Sequence, residues 1–217
     1  MRPENTLEGF RYAIECGVDA IEMDIAVTAD DVPVVSHDPW LRGRRPIRKM
    51  SYADLRRAAP AIPSLPEVLA LAGCGPFLFN IELKSFPERP ELAPEPAAFA
   101  ALVWPLVEPL AARAMVQSFD FRVLRAIHGL APDLRLGALF ERARAGFAAL
   151  AHSACAQIAV PRFSLVTAAR VAAAHREGIA VYTWTVNRPD DWRRMIDAGV
   201  DAIITDDPAG LLASLSQ

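Results

Sequence analysis

The sequence predicts a parallel α/β domain, either a barrel or an open doubly wound sheet. Short apolar runs alternate with helical stretches along the whole chain, and several runs hold consecutive apolar residues, as strands covered on both faces do. A third observation favours the barrel. In Asp19-Ala20-Ile21-Glu22-Met23-Asp24-Ile25, residues two apart share a face, so Glu22 and Asp24 oppose Ile21, Met23 and Ile25. Acids on one face of an apolar strand suit a barrel mouth, with the apolar set packed under helices.

The strand candidates are Asp19–Thr28, Phe77–Lys84, Ala114–Ser118, Leu134–Phe140, Ala156–Pro161, Ile179–Val186 and Asp201–Thr205. A helix precedes the first of them, marked by Leu7, Phe10 and Ile14, capped by Asn5 or Thr6 and stopped at Gly17. Later helices open at Ser64 or Pro66 and at Asp120. Thr167–His175 precedes Gly178, and Pro189 opens a helix that ends before Gly199. An eight-stranded barrel usually needs about 250 residues. The chain therefore reads as one domain over residues 1–217, a (β/α)8 TIM-type barrel lacking its first β-strand. The exposed edges of such a barrel would favour homo-oligomers.

Composition narrows the function. Hydrophobic residues are 53% of the 217, enough for a sizeable core, which excludes a disordered chain. A net charge of −3, without alternating basic and aromatic residues, argues against nucleic acid as a partner. Cys16, Cys74 and Cys155 are too scattered for a metal site or disulfide framework, which points to a reducing compartment. With no signal peptide and no membrane span evident, a cytoplasmic location is expected. Nucleotide-binding glycine motifs do not occur. The basic run Arg42, Arg44, Arg45, Arg48 and Lys49 is either an exposed loop or an attractor for an anionic substrate, and Leu92–Pro96 reads as a solvated linker.

The chemistry concentrates on strands. Asn80, Glu82 and Lys84 share a face opposite Ile81 and Leu83, on the candidate strand that follows Glu22 and Asp24. Neighbouring strands lie about 4.8 Å apart, so three carboxylates can converge. Without a counter-ion they would repel and partly protonate, and a hard divalent cation, Mg²⁺ or Ca²⁺, resolves this. The plainer alternative pairs each acid with Arg or Lys at a loop edge. His37 ends the apolar run Val34-Val35, where a βα loop would begin at the catalytic face, and could move a proton near neutral pH. His128 and His175 lie in helical surface patterns and His152 in an Ala/Ser-rich loop. Tyr182 and Trp184 share a strand face that is either an apolar ligand wall or core. Gln117 and Ser118 are candidate polar lining, and Asp206 and Asp207 either line a strand end or cap the last helix.

Taken together, these segments resemble the glycerophosphodiester phosphodiesterase family of (β/α)8 barrels. The similarity rests on Pro3-Glu4-Asn5-Thr6; on Glu22-x-Asp24 followed by Thr28, Asp30, Pro33, Val34 and His37-Asp38; and on Ile62-Pro63-Ser64-Leu65. It continues through Glu82-x-Lys84, Gln117-Ser118, Trp184-Thr185-Val186-Asn187 and Ile204-Thr205-Asp206. The resemblance implies metal-dependent hydrolysis of a small glycerophosphodiester to glycerol 3-phosphate and an alcohol. It implies one Mg²⁺ or Ca²⁺ on Glu22, Asp24 and Glu82, catalytic roles for His37, Lys84 and Glu4, and substrate contacts by Asn5, Gln117, Trp184 and Tyr182. The family's His-Arg-Gly motif should precede Pro-Glu-Asn-Thr, whereas this sequence starts Met1-Arg2-Pro3. A weakly active or inactive form is the resulting expectation, either from a start recorded too late or because the short form is real. The alternatives are a phospholipase-D-like relative and a non-catalytic metal- or phosphodiester-binding barrel.

Overall fold

A computed structural model describes residues 2–41 and 43–215; Arg42 of the basic run and Met1 lie outside the described residues. The chain forms two compact units, residues 2–134 and 135–217.

In the first unit, α1 (Leu7–Cys16) starts where the Thr6 hydroxyl accepts the Gly9 amide and ends at Gly17, whose φ of 86° suits glycine. Any side chain at Gly9 would collide with the Pro3 carbonyl, so the glycine lets the preceding turn fold against the helix. Next come β1 (Ala20–Val27), β2 (Pro33–Val35), a short hairpin of β3 (Trp40–Leu41) and β4 (Arg45–Pro46), α2 (Tyr52–Ala58) and α3 (Leu65–Leu69). β5 (Leu78–Leu83), α4 (Pro96–Val107), β6 (Ala114–Ser118) and α5 (Phe121–Leu130) complete the unit. Its sheet runs β6-β5-β1-β2, with β1, β5 and β6 parallel. Met23, Ile25, Ile81 and Leu83 are fully buried on one face of β1 and β5, as are Phe99 and Val103 of α4 and Leu124 and Ile127 of α5. Burying each such side chain contributes about 1.5–3 kcal/mol.

The second unit repeats the grammar with β7 (Arg135–Phe140), α6 (Phe147–Ser153), β8 (Ile158–Pro161), α7 (Ala168–Arg176), β9 (Ala180–Thr183), α8 (Pro189–Asp197), β10 (Ala202–Ile203) and α9 (Pro208–Leu215). Its sheet order is β10-β9-β8-β7, and the pairs β7–β8, β8–β9 and β9–β10 are parallel. Each of the seven expected strand segments thus contains a parallel strand.

Three local readings are corrected. β2 is antiparallel to β1, because Thr28–Val32 is a tight turn: Asp31 has a φ of 60°, and the Thr28 hydroxyl accepts the Val32 amide at 3.0 Å. His37 therefore follows a returning strand and not a parallel strand's end. Leu92–Pro96 is not a solvated linker, since Leu92 and Pro94 are buried and Pro96 is the first residue of α4. His152 sits in α6 and not in a loop. Asp207 accepts the Gly210 amide at 3.1 Å and so caps α9, while Asp206 takes a hydrogen bond from the Asn187 side chain at 2.6 Å.

Candidate active site

Strand register builds the site in the first unit. Asp24 of β1 stands opposite Glu82 of β5, which stands opposite Gln117 of β6; one step back, Glu22 stands opposite Asn80. Cross-strand partners share a face, so one polar cluster results from sequence alternation alone. Carboxylate oxygens of Glu22, Asp24 and Glu82 lie within 4.8 Å of one another. Asp24 and Glu82 are buried, and Glu22 is partly so.

Lys84, at the end of β5, reaches both buried acids: its Nζ is 3.1 Å from Asp24 Oδ1 and 3.0 Å from Glu82 Oε1. The plainer reading of paired acids is thus realised for two of them, yet one ammonium faces three carboxyl groups. The electrostatics record the deficit. Burial, then the charges of Asp24 and Glu82, push the Glu22 carboxyl well above its usual range, against the smaller pull of Lys84 and Gln117. Burial raises Glu82 to about 7, with Lys84 opposing and Asp24 adding to the rise. Burial also works against the charge on Lys84, but Glu82 and Asp24 outweigh it and hold the ammonium above its usual range.

The chain fixes these groups by specific contacts. Asn5, left-handed at φ 54°, holds Asp24 twice: its amide nitrogen donates to Asp24 Oδ2 at 2.8 Å, and its oxygen accepts the Asp24 backbone amide at 3.1 Å. Gln117 donates from Nε2 to Glu22 Oε1 at 3.1 Å. The Ser36 amide donates to the Asp24 carbonyl at 2.8 Å, which brings the end of β2, and His37 beside it, back to the level of the acids. His37 Nδ1 lies 3.2 Å from Asp38 Oδ1, and both side chains are exposed. Arg48 holds the far end of this hairpin, donating to Asp31 Oδ1 at 2.7 Å and to the Thr28 carbonyl.

Other expected site residues fall differently. Glu4 is exposed and, among the described residues, takes part in none of the cluster's hydrogen bonds or ion pairs. In the second unit, Tyr182 is half-buried opposite Ala202, and the Trp184 indole N–H donates to the Val160 carbonyl at 2.9 Å. His175 is tied to Asp201 at 2.8 Å. In the basic run, Arg48 serves the turn at Asp31, and Arg44 lies 5.9 Å from the Trp40 ring centre.

Two oxygens were not foreseen as unusual. Asn80 Oδ1 and Gln117 Oε1 are buried and, among the described residues, have no hydrogen-bond donor. An unpaired buried acceptor typically costs about 1–3 kcal/mol. Three carboxylates and two unpaired amide oxygens on adjacent strands form a donor set that fits a hard cation.

The chain is similar to known proteins along nearly its whole length. Residues 1–210 match the model of the glycerophosphoryl diester phosphodiesterase family. A glycerophosphodiester phosphodiesterase from Caldanaerobacter subterraneus is 32% identical over 97% of this chain and 91% of its own length. A crystal structure from Silicibacter pomeroyi, assigned as a glycerophosphoryl diester phosphodiesterase, superposes with a TM-score of 0.89 at 34% identity, covering 99% of this chain and 89% of that one. The fold alone is shared with an Oleispira antarctica phosphodiesterase solved with sn-glycerol-3-phosphate, at a TM-score of 0.87 and 20% identity over 99% of this chain and 92% of that one.

Proposed function

This chain belongs to the glycerophosphoryl diester phosphodiesterase family, and from that premise we propose that it hydrolyses small water-soluble glycerophosphodiesters to glycerol 3-phosphate and an alcohol, using one Mg²⁺ or Ca²⁺. The observation that carries the proposal is the convergence of Glu22, Asp24 and Glu82 with too little positive charge among them. Those three residues would hold the cation, which when bound supplies Lewis-acid polarisation of a phosphoryl oxygen.

The chain's own groups do the rest. Lys84 lies between Asp24 and Glu82 and is held charged, so it can neutralise a phosphoryl oxygen placed over the cluster. Asn5 fixes the Asp24 carboxylate and Gln117 fixes Glu22, which preorganises the acids before substrate arrives. Asp38 faces His37 Nδ1, leaving Nε2 to give a proton to the leaving alcohol oxygen. Glu4 and Asn5 would support the site at the end of the first loop.

The same premise supports one TIM-type barrel domain across residues 1–217. His128 sits in α5, His152 sits in α6 and His175 is bound to Asp201, and His37 is the one histidine to which we assign an acid–base role. The proposed rate for this chain is accordingly low. Three unpaired cysteines support work in a reducing compartment such as the cytoplasm. Among the described residues, no helix is long and apolar enough to cross a membrane.

The test is to follow glycerophosphocholine and glycerophosphoethanolamine by ³¹P NMR with Mg²⁺, Ca²⁺ or EDTA. Glycerol 3-phosphate formed with cation and not with EDTA is the expected result. Cation binding without turnover would instead favour a non-catalytic binding protein, and preferential turnover of a lysophospholipid offered in competition would favour a phospholipase-D-like enzyme.

A further inference from the structure

The two amide oxygens of Asn80 and Gln117 have no part in the proposed hydrolysis. Asn80 is 4% exposed and Gln117 is 1% exposed, so neither oxygen is satisfied by bulk solvent. Both side chains belong to the carboxylate face. Asn80 stands opposite Glu22 across the β1–β5 ladder, and Gln117 has already given its N–H to Glu22, which leaves its oxygen as the group still seeking a positive partner. Lys84, whose Nζ sits at hydrogen-bond distance from Asp24 and Glu82, does not reach either amide oxygen.

We propose that Asn80 and Gln117 are ligands of the same cation through Oδ1 and Oε1, which makes the site an all-oxygen cage selective for Ca²⁺ over Mg²⁺. This rests on the metal-dependent reading above. Five side chains then offer oxygens, three of them carboxylates able to bind through one or both oxygens. Ca²⁺ takes 6–8 oxygens, amide carbonyls among them, in flexible geometry, whereas Mg²⁺ demands a strict octahedron and usually keeps its water. Cation entry would also remove the cost of two unpaired buried acceptors.

The test is isothermal titration calorimetry of Ca²⁺ and Mg²⁺ into EDTA-stripped, dialysed protein, comparing the wild type with Asn80→Leu and Asn80→Asp. Leucine keeps the volume and removes the oxygen, while aspartate keeps an oxygen in place. The wild type is expected to bind Ca²⁺ more tightly than Mg²⁺. Asn80→Leu should weaken Ca²⁺ binding by about tenfold or more and narrow the preference, a loss of the size seen when metal-supporting groups are removed, and Asn80→Asp should retain Ca²⁺ binding. Should Asn80→Leu not fold, Asn80→Ser, which draws the oxygen back, is expected to show the same loss. Folded Leu or Ser variants that bind Ca²⁺ like the wild type, or a wild type that prefers Mg²⁺, would overturn this inference and leave the hydrolase reading standing. A wild type that binds neither ion would overturn both.

Discussion

Glu82 is held in a place where burial opposes its charge, and this gives the protein a pH signature. Its value of about 7 lies above the ordinary 4.5, so the folded state binds a proton that the unfolded chain releases. The resulting stability is fully present below pH 4.5 and is lost as pH rises through 7, a difference on the order of a few kcal/mol. Thermal melts of cation-free protein should therefore show Tm falling between pH 5 and 8, with Ca²⁺ flattening the profile; a flat profile without cation would contradict the account. Lys84→Met should lower Tm further at pH 8, where Asp24 and Glu82 lose their counter-ion, since removing one partner of a buried pair costs about 3–5 kcal/mol. Added cation should recover much of that stability but not the turnover. At this scale the acids were legible, because alternation within Glu22-x-Asp24 and Asn80-x-Glu82-x-Lys84 fixes their face. The grip of Asn5 on Asp24 was not, because it spans nineteen positions and depends on a left-handed turn.

Among the elements, the β1–β2 hairpin decides where His37 ends up. Arg48 clamps the turn from outside the site, so Arg48→Met should loosen the approach of His37 while leaving the acids in place. The expected outcome is a fall in kcat of about tenfold, the size of a modest acid–base contribution, with cation affinity measured by calorimetry unchanged. Equal losses in both would show that Arg48 supports the whole cluster. At α3, Ser64 accepts the Glu67 amide while Glu67 accepts the Ser64 amide at 2.7 Å, a reciprocal cap. Ser64→Ala should cost about 1 kcal/mol, read as a lower Tm with normal kcat. Helix starts at Thr6, Ser64, Asp120 and Thr167 could be read from the sequence because capping chemistry is local. The direction of β2 could not, since a three-residue strand carries no polarity of its own. The start of α4 was hidden by the prolines that surround it, although Pro96 at its first position is compatible with a helix.

For the molecule as a whole, strand–helix alternation in both units and a family match over residues 1–210 describe the same frame, which is why the fold class was accessible from sequence. A bound cation would link that frame to stability as well as to chemistry, because a ligand that binds only the folded state adds about 2.7 kcal/mol at a hundred times its Kd. The central claim is that Glu22, Asp24 and Glu82 hold a cation without which phosphodiester cleavage does not occur. The most direct test is the rate of glycerol 3-phosphate release from glycerophosphocholine as Ca²⁺ or Mg²⁺ is returned to EDTA-stripped protein, wild type beside Glu82→Gln. The account predicts no release until cation is added, then saturation, with Glu82→Gln needing at least about tenfold more cation. Release that persists in EDTA, or an identical cation requirement in Glu82→Gln, would contradict it.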